Sequence, residues 1–226
     1  MEEIYNQRIP KKIWMIAKDP YLPEIQDNKN QWSNMNPGYE IKILNDADIE
    51  RFIFEKFEDR VYDAFKKLDV GVMKADFARY CIVYAEGGIY TDVDTQCLLP
   101  IDNWGIDKYK IIVAREKGAY GFLCNWTFAA IPCHPLLRIA IELMCERINK
   151  GINTKAYSNY GNNGYIVYYT GPVMFNNALD IFLKMYQKHD LDFIDYNNDD
   201  IFQGKYVRHF YWSIGNIPNY EKWRYT

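Results

Sequence analysis

MKADFARYCIVYAEGGIYTDVDTQC, residues 73–97, joins a helical pattern to a short strand and two aspartates. Apolar residues around its first half recur at steps of three and four, which predicts a largely buried helix. These recurring residues are Val72, Ala75, Phe77, Ala78, Cys81, Ile82 and Ala85. Glycine adopts the left-handed C-cap conformation without a Cβ clash, so Gly87-Gly88 is predicted to end the helix. Residues 89–91 then have the character of a short β-strand.

Two aspartates separated by one residue follow that predicted strand. On a fully extended strand, the side chains of Asp92 and Asp94 would point to the same face. Like charges so close repel unless a cation lies beside them, and Mg2+ and Mn2+ prefer hard oxygen ligands and also bind phosphate oxygens. The pattern therefore predicts a metal and diphosphate site. Two solvated aspartates in a turn are the alternative, and this is the commoner meaning of an isolated D-x-D.

A charged pair lies on the predicted helix ahead of the aspartates. Asp76 and Arg79 are three residues apart and therefore share one helix face. Because the rest of that helix is apolar, the pair needs partners at a helix end or in a cleft. A structural ion pair and a functional site both meet this requirement.

The order K-A-D-F-A-R-Y at residues 74–80, followed by G-G-I-Y-T-D-V-D at residues 87–94, carries a family resemblance. It resembles the DxD glycosyltransferases of the capsular-polysaccharide and alpha-1,6-mannosyltransferase type, and the catalytic domains of the large clostridial glucosylating toxins are similar. The resemblance implies an α/β fold of the GT-A-like type, with a mostly parallel central sheet and helices on both faces. Residues 1–226 are then expected to form a single catalytic domain.

The resemblance also implies roles for individual residues. The residues expected to act in catalysis are Asp76, Arg79, Asp92 and Asn125. Those expected to contact the nucleotide sugar are Trp14, Ala17, Asp76, Arg79, Tyr80, Asp92 and Val93. Those expected to hold the metal are Asp92, Asp94 and His209.

Alternatives stay open at several of these positions. Residues 9–14, I-P-K-K-I-W, are similar to the family's first strand, whose end lies beside the base, but Trp14 is equally typical of a core strand. Asn125 can instead bond a neighbouring backbone group, and His209 can be a structural histidine. As a metal ligand, His209 must be deprotonated, which predicts that activity falls as the pH drops through roughly 6 to 6.5.

The remaining segments alternate between strand and helix patterns, which is typical of an α/β sheet with ligands beyond the carboxyl ends of its strands. The predicted strands are residues 9–17, 39–44, 110–115, 122–131, 192–196 and 206–212. The predicted helices are residues 23–36, 47–57, 59–68, 135–149 and 173–189. Residues 151–165, rich in Gly, Asn, Ser and Tyr, are expected to form either a mobile flap on the acceptor side or only a disordered surface loop.

Composition narrows the functional class. A net charge of −3 over 226 residues does not favour nucleic-acid binding. The five cysteines show no C-x-x-C spacing, which is typical of reduced thiols. The polar start MEEIYNQRIP predicts no signal peptide, and no apolar run approaches the roughly 20 residues of a membrane span. We therefore expect a bacterial or viral cytoplasmic enzyme, or one held peripherally at the inner face of the membrane.

The expected reaction moves a hexose from a UDP- or GDP-sugar to a glycan or lipid-linked glycan hydroxyl, with Mn2+ or Mg2+ as cofactor. The family implies retention of anomeric configuration and a place in surface polysaccharide synthesis. A phosphohydrolase of the haloacid-dehalogenase type is one alternative, but its D-x-D-x-T/V motif is broken by Gln96. A non-catalytic nucleotide-sugar-binding module is the other, because binding and turnover share residues.

Overall fold

A six-stranded sheet forms the centre of the protein in a computed structural model that describes residues 7–115, 121–155, 157, 163–186, 193–196 and 206–209. The strands are β1 Lys12–Ile16, β2 Glu40–Leu44, β3 Gly88–Thr91, β4 Thr95–Cys97, β5 Ile111–Ala114, β6 Thr127–Ala130, β7 Phe193–Tyr196 and β8 Val207–His209. The helices are α1 Pro23–Met35, α2 Asp46–Lys56, α3 Asp59–Lys66, α4 Gly71–Glu86, α5 Pro135–Asn149, α6 Gly164–Tyr169 and α7 Pro172–Met185. A 3-10 turn covers Ile101–Trp104.

The sheet has the order β2-β1-β3-β6-β5-β7. β1 is parallel to β2 and to β3, and β5 is parallel to β7. β6 is antiparallel to both of its neighbours, so it alone reverses direction among these six strands. The predicted mostly parallel α/β sheet is confirmed. β4 and β8 form a separate two-stranded antiparallel sheet beside it.

Two apolar cores cover the two faces of the sheet, as the alternation along β1 shows. Trp14 and Ile16 point into a core that contains residues of α2 to α7, whereas Ile13 and Met15 point into one with Trp32 of α1 and Trp104. Helices therefore cover both faces, as predicted. Among the described residues, no helix combines the length and the apolar character that crossing a membrane requires.

The buried helix predicted from the three- and four-residue periodicity is α4. Eleven of its 16 residues are buried, including both members of the Asp76–Arg79 pair. It ends at Glu86, and its cap residue Gly87 has φ 64° and ψ −173°, so a glycine with positive φ ends the helix as predicted but its ψ is not that of the left-handed cap. The chain instead extends directly into β3. A Cβ on Gly88, with φ 103°, would lie 2.6 Å from the Lys12 carbonyl oxygen, which explains why glycine is needed there.

Several predicted boundaries differ from the structure. The strand predicted at residues 122–131 is reduced to β6 and an isolated bridge between Leu123 and Arg115, and between them the Asn125 carbonyl accepts a hydrogen bond from Arg79. The helix predicted to reach residue 189 ends at Met185, and residues 187–190 lie outside the described part. β8 covers only the start of the last predicted strand, whose residues 210–212 are also outside it. Within the predicted loop 151–165, α6 already begins at Gly164.

Candidate active site

The two aspartates of the motif lie in a turn between β3 and β4. The prediction that they share one face of an extended strand is therefore wrong, because β3 ends at Thr91. The Thr95 hydroxyl closes the turn by donating to the Asp92 carbonyl oxygen at 2.7 Å. Thr91 Oγ1 lies 2.8 Å from the hydroxyls of both Thr95 and Thr127, which ties the turn to the end of the sheet.

This turn nevertheless brings two carboxylates to the carboxyl end of β3, where an imidazole meets them. β8 pairs with β4 so that His209 lies opposite Thr95. His209 Nε2 lies 3.2 Å from Asp94 Oδ1 and 3.7 Å from Asp92 Oδ2. One ligand atom from each of these three residues lies within 4.8 Å of the other two. The structure thus groups the three residues predicted to hold the metal.

Charge interactions inside this group are strong. Burial lowers the pKa of His209, but the carboxylates of Asp92 and Asp94 outweigh burial and raise it to about 9. Burial also raises the pKa of Asp92, and the Arg79 charge, followed by His209, more than reverses that effect. The His209 ring stacks on Trp126 with centroids 4.6 Å apart, which fixes its plane. Without a metal, the group is therefore a carboxylate–imidazolium cluster near neutral pH.

Arg79 connects this cluster to α4. Arg79 is buried, with 4% of the residue exposed. Nη2 lies 3.1 Å from Asp76 Oδ1 and 3.3 Å from Asp92 Oδ1, and Nη1 donates to the Asn125 carbonyl at 2.7 Å. The ring of Tyr90 lies 4.6 Å from the guanidinium carbon. Burial lowers the pKa of Arg79, but the neighbouring acidic groups, Asp92 first, raise it above its usual range, so Arg79 stays charged.

Asp76 has a second set of partners that the sequence did not reveal. Its Oδ1 accepts from Asn125 Nδ2 at 3.0 Å, and its Oδ2 accepts from the Thr170 hydroxyl at 3.0 Å. Burial raises the pKa of Asp76 to about 6 against the opposing effect of Arg79. A carboxylate held at this desolvation cost inside a polar cluster is a candidate functional group.

The other residues predicted to contact the nucleotide sugar lie in different parts of the structure. Val93 lies within the aspartate turn, and Ala17 lies just beyond the carboxyl end of β1, where its amide donates to Leu44. Tyr80 is fully buried next to Phe128 and Phe175.

Trp14 is not brought to the aspartate turn. Its indole Nε1 donates to the carbonyl oxygen of Gly87, before the start of β3, at 2.8 Å. Asp92 follows the opposite end of that strand.

Two residues of this cluster are not among those predicted to act in catalysis, donor binding or metal binding. Tyr90 donates its hydroxyl to Asp92 Oδ1 at 2.6 Å, and Thr170 holds Asp76 from the segment between α6 and α7. Tyr90 belongs to the G-G-I-Y-T-D-V-D block, so its position was visible in the sequence although its partner was not. Thr170 begins the T-G-P segment at residues 170–172, which marks the start of a helix, but nothing local indicates its contact with Asp76, 94 residues away.

A family model matches the part of the chain that contains the DXD turn. Residues 23–110 match the glycosyltransferase sugar-binding region containing the DXD motif. The predicted resemblance to the DXD glycosyltransferases is confirmed. The matched region includes Asp76, Arg79 and both aspartates of the DXD turn, whereas Asn125 and His209 lie beyond it.

Individual relatives agree with that family. An initiation-specific alpha-1,6-mannosyltransferase of Schizosaccharomyces pombe is 30% identical over 200 residues, which are 80% of this chain and 50% of that protein. An inositol phosphoceramide mannosyltransferase 1 of the same yeast is 32% identical over 140 residues, 60% of this chain and 43% of that protein. This chain thus spans about half the length of such relatives.

A solved structure supports the fold. The PaToxG glycosyltransferase superposes with a TM-score of 0.61 at 20% sequence identity, covering 79% of this chain and 70% of that one. At this identity, the likeness shows that the two chains share a fold and says nothing about their substrates.

Proposed function

We propose that residues 1–226 form a metal-dependent glycosyltransferase domain that moves a hexose from a nucleotide-diphosphate sugar to a hydroxyl acceptor. The observation that carries this proposal is the meeting of Asp92, Asp94 and His209 beside the buried Arg79 at the carboxyl end of β3. Ligands of α/β sheets bind beyond this end of the strands. Because two relatives are mannosyltransferases, mannose is the first hexose to test.

The chemistry of the three ligand side chains fits a divalent cation. Two carboxylates with one imidazole suit Mn2+, and the carboxylates alone suit Mg2+. The cation would be held by Asp92, Asp94 and His209. When bound, it would neutralise the charge that develops on the leaving diphosphate.

The residues of α4 then have distinct tasks. The guanidinium of Arg79 is fixed by Asp76, Asp92 and the Asn125 carbonyl, while its buried Nε has no hydrogen-bond partner among the described residues. Arg79 is proposed to orient the donor through this remaining N–H and its charge. The carboxylate of Asp76, held by Asn125 and Thr170, is proposed to accept hydrogen bonds from sugar hydroxyls. Retention of anomeric configuration is proposed from the family resemblance alone.

The acceptor is proposed to be a glycan or a lipid-linked glycan. The inositol phosphoceramide mannosyltransferase among the relatives favours a hydroxyl on a lipid-linked group. The cytoplasmic location expected from the N-terminal sequence stays a prediction.

Donor turnover tests the proposed function. Purified protein is incubated with GDP-mannose, GDP-glucose, UDP-glucose or UDP-N-acetylglucosamine, each with Mn2+ or with EDTA. We expect Mn2+ to permit slow hydrolysis of one donor, seen by proton NMR as release of the sugar in the α configuration. The same donor should raise the thermal midpoint only with Mn2+, since a ligand that binds the folded state stabilises it. Stabilisation without hydrolysis would indicate a non-catalytic binding module.

The pH dependence of metal binding follows from the charge state of His209. Its proton competes with the cation, and its pKa of about 9 means that it is protonated at neutral pH without metal. We expect the Kd for Mn2+, measured calorimetrically without nucleotide, to fall roughly tenfold per pH unit from pH 6 to pH 8. The fall of activity through roughly pH 6 to 6.5 was predicted from the pKa of a free imidazole, whereas the neighbouring carboxylates raise the pKa of His209 in the metal-free cluster. In His209→Gln, the slope should be nearly flat, and an equally flat slope in the parent protein would contradict the role of His209.

A further inference from the structure

β4, the three-residue strand that follows the DXD turn, has two edges with different neighbours. On one edge it pairs with β8, which brings His209 opposite Thr95. Among the described strands, none pairs with the other edge. The buried backbone groups on this second edge still need hydrogen-bond partners, because unpaired buried amides and carbonyls are costly.

Side chains of α1 take the place of a strand on this second edge. Gln31 Nε2 donates to the Cys97 carbonyl at 2.6 Å, and Gln31 Oε1 accepts from the Cys97 amide at 3.0 Å. The Thr95 carbonyl accepts from Asn28 Nδ2 and, at 3.3 Å, from Trp32 Nε1. Gln31 thus offers Cys97 one donor and one acceptor, as the backbone of a neighbouring strand would.

The same helix is firmly seated on the sheet. Trp32 is fully buried, and its ring meets Trp104 edge to face with centroids 6.3 Å apart. Trp104 in turn meets Tyr206, the residue before β8, in the same way at 6.3 Å. α1 therefore contacts β4 directly and reaches the start of β8 through one aromatic ring.

β4 connects α1 to the three proposed metal ligands. The Thr95 hydroxyl closes the DXD turn onto Asp92, and the pairing of β4 with β8 places His209 opposite Thr95. A shift of β4 would therefore move all three metal-binding side chains relative to one another. A cation with near-fixed ligand distances is sensitive to such shifts, and groups that orient metal ligands change affinity by 10- to 100-fold.

We propose that the amide side chains of α1, with Gln31 foremost, are positioning residues for the metal site. Their role is to hold β4 so that Asp92, Asp94 and His209 converge in the geometry the cation needs. This inference rests on the proposed function, because it presupposes that the three residues bind a divalent metal.

The test compares two glutamines of the same helix. Gln31→Met removes both hydrogen bonds to Cys97 while keeping a side chain of similar volume. Gln26→Met is the matched control, since the Gln26 side-chain amide donates to the Pro20 carbonyl in the preceding loop and, within the described residues, has no hydrogen bond to β4. The Kd for Mn2+ alone is measured at pH 8 for both variants and the parent. We expect a rise of about tenfold in Gln31→Met and no change in Gln26→Met.

Donor turnover separates positioning from loss of structure. In Gln31→Met, saturating Mn2+ should restore kcat. The variant should differ from the parent in needing a higher Mn2+ concentration for its half-maximal rate. A Kd for Mn2+ equal to that of the parent would overturn the inference while leaving the proposed function intact. A parent protein that binds no Mn2+ would overturn both.

A second pair of variants decides the matter if Gln31→Met does not fold. Asn28→Ala removes the hydrogen bond to the Thr95 carbonyl, and Asn30→Ala removes an exposed amide from the same helix. Weaker Mn2+ binding in Asn28→Ala alone supports the positioning role. Equal binding in both variants overturns it.

Discussion

Asp94→Ala should weaken Mn2+ binding by roughly a hundredfold or more while leaving the protein folded. Asp94 is 7% exposed and supplies a carboxylate oxygen 3.2 Å from His209 Nε2. Its loss removes one of three proposed ligands and one of two negative charges. The remaining carboxylate and imidazole form a poor site for a hard divalent cation. Calorimetry with Mn2+ alone and a thermal-shift titration with nucleotide and Mn2+ measure the loss.

The fold is expected to survive this change because the aspartate turn has other contacts. The Thr95 hydroxyl and the β4–β8 pairing do not involve the Asp94 side chain. Loss of one charged hydrogen bond at this buried position should lower the free energy of unfolding by about 2 kcal/mol. Asp107→Ala, at an exposed turn position, is the control and should bind Mn2+ like the parent. Parent-like Mn2+ binding in Asp94→Ala would remove this residue from the metal site.

A second readout in Asp94→Ala does not depend on metal. In the parent, Asp92 and Asp94 together raise the pKa of His209 to about 9 despite burial. Without Asp94, one of these carboxylates is gone, so the pKa of His209 should fall. An NMR titration of the imidazole follows this change directly. An unchanged pKa would mean that His209 and Asp94 are not neighbours in solution.

The sequence was most informative where structure depends on nearby residues. The period of α4 and the glycine pair after it are local features, and both elements are observed close to where they were predicted. The conformation at residues 92–94 was less predictable, because a side-chain hydroxyl bonded to a backbone carbonyl ends the strand there. A D-x-D motif therefore indicates which carboxylates act together but not the backbone that brings them together.

Residues distant in the chain were harder to place. His209 was expected in the site from the family pattern, but its distance from Asp94 depends on the register between β4 and β8, which no local pattern encodes. Gln31 and Asn28 look like ordinary polar residues on a helix until β4 is placed beside them. For Trp14 the strand was predicted correctly, whereas packing directs its indole toward Gly87. Strand pairing and side-chain direction thus set the limit of what could be predicted.

Asp76→Asn should reduce donor turnover by roughly a hundredfold while changing stability little. The amide has nearly the same shape as the carboxylate, so Asn125 and Thr170 can keep contacts with it by reorienting their polar groups. It lacks the negative charge that accepts hydrogen bonds from sugar hydroxyls strongly. The test is turnover of whichever donor the hydrolysis assay identifies, measured at saturating Mn2+.

The raised pKa of Asp76 sets the sign of one contribution to the stability change, which depends on pH. Its folded value of about 6 exceeds the ordinary 3.8, so ionised Asp76 opposes folding increasingly as pH rises from about 4 through 6. Asp76→Asn removes this penalty at pH 8, in which the attraction to Arg79 is already included, but it weakens the hydrogen bonds that Asn125 and Thr170 donate to the carboxylate. These effects oppose each other, and we expect a net change within about 1 kcal/mol.

Asp48→Asn is the matched control, because Asp48 and Arg51 form an i,i+3 pair with the same spacing on α2. The Arg51 side chain is 65% exposed and that of Asp48 30%, and Asn at position 48 can still accept the hydrogen bond from the Asn45 amide, so turnover and stability should change little. A large turnover defect in Asp76→Asn alone, at near-parent stability, assigns the buried pair to the donor site. If Asp76→Asn unfolds readily but its folded fraction turns over donor at the parent rate, the pair is structural. The hydrogen bond between Asp76 and Thr170 would then only anchor α4 to the segment before α7.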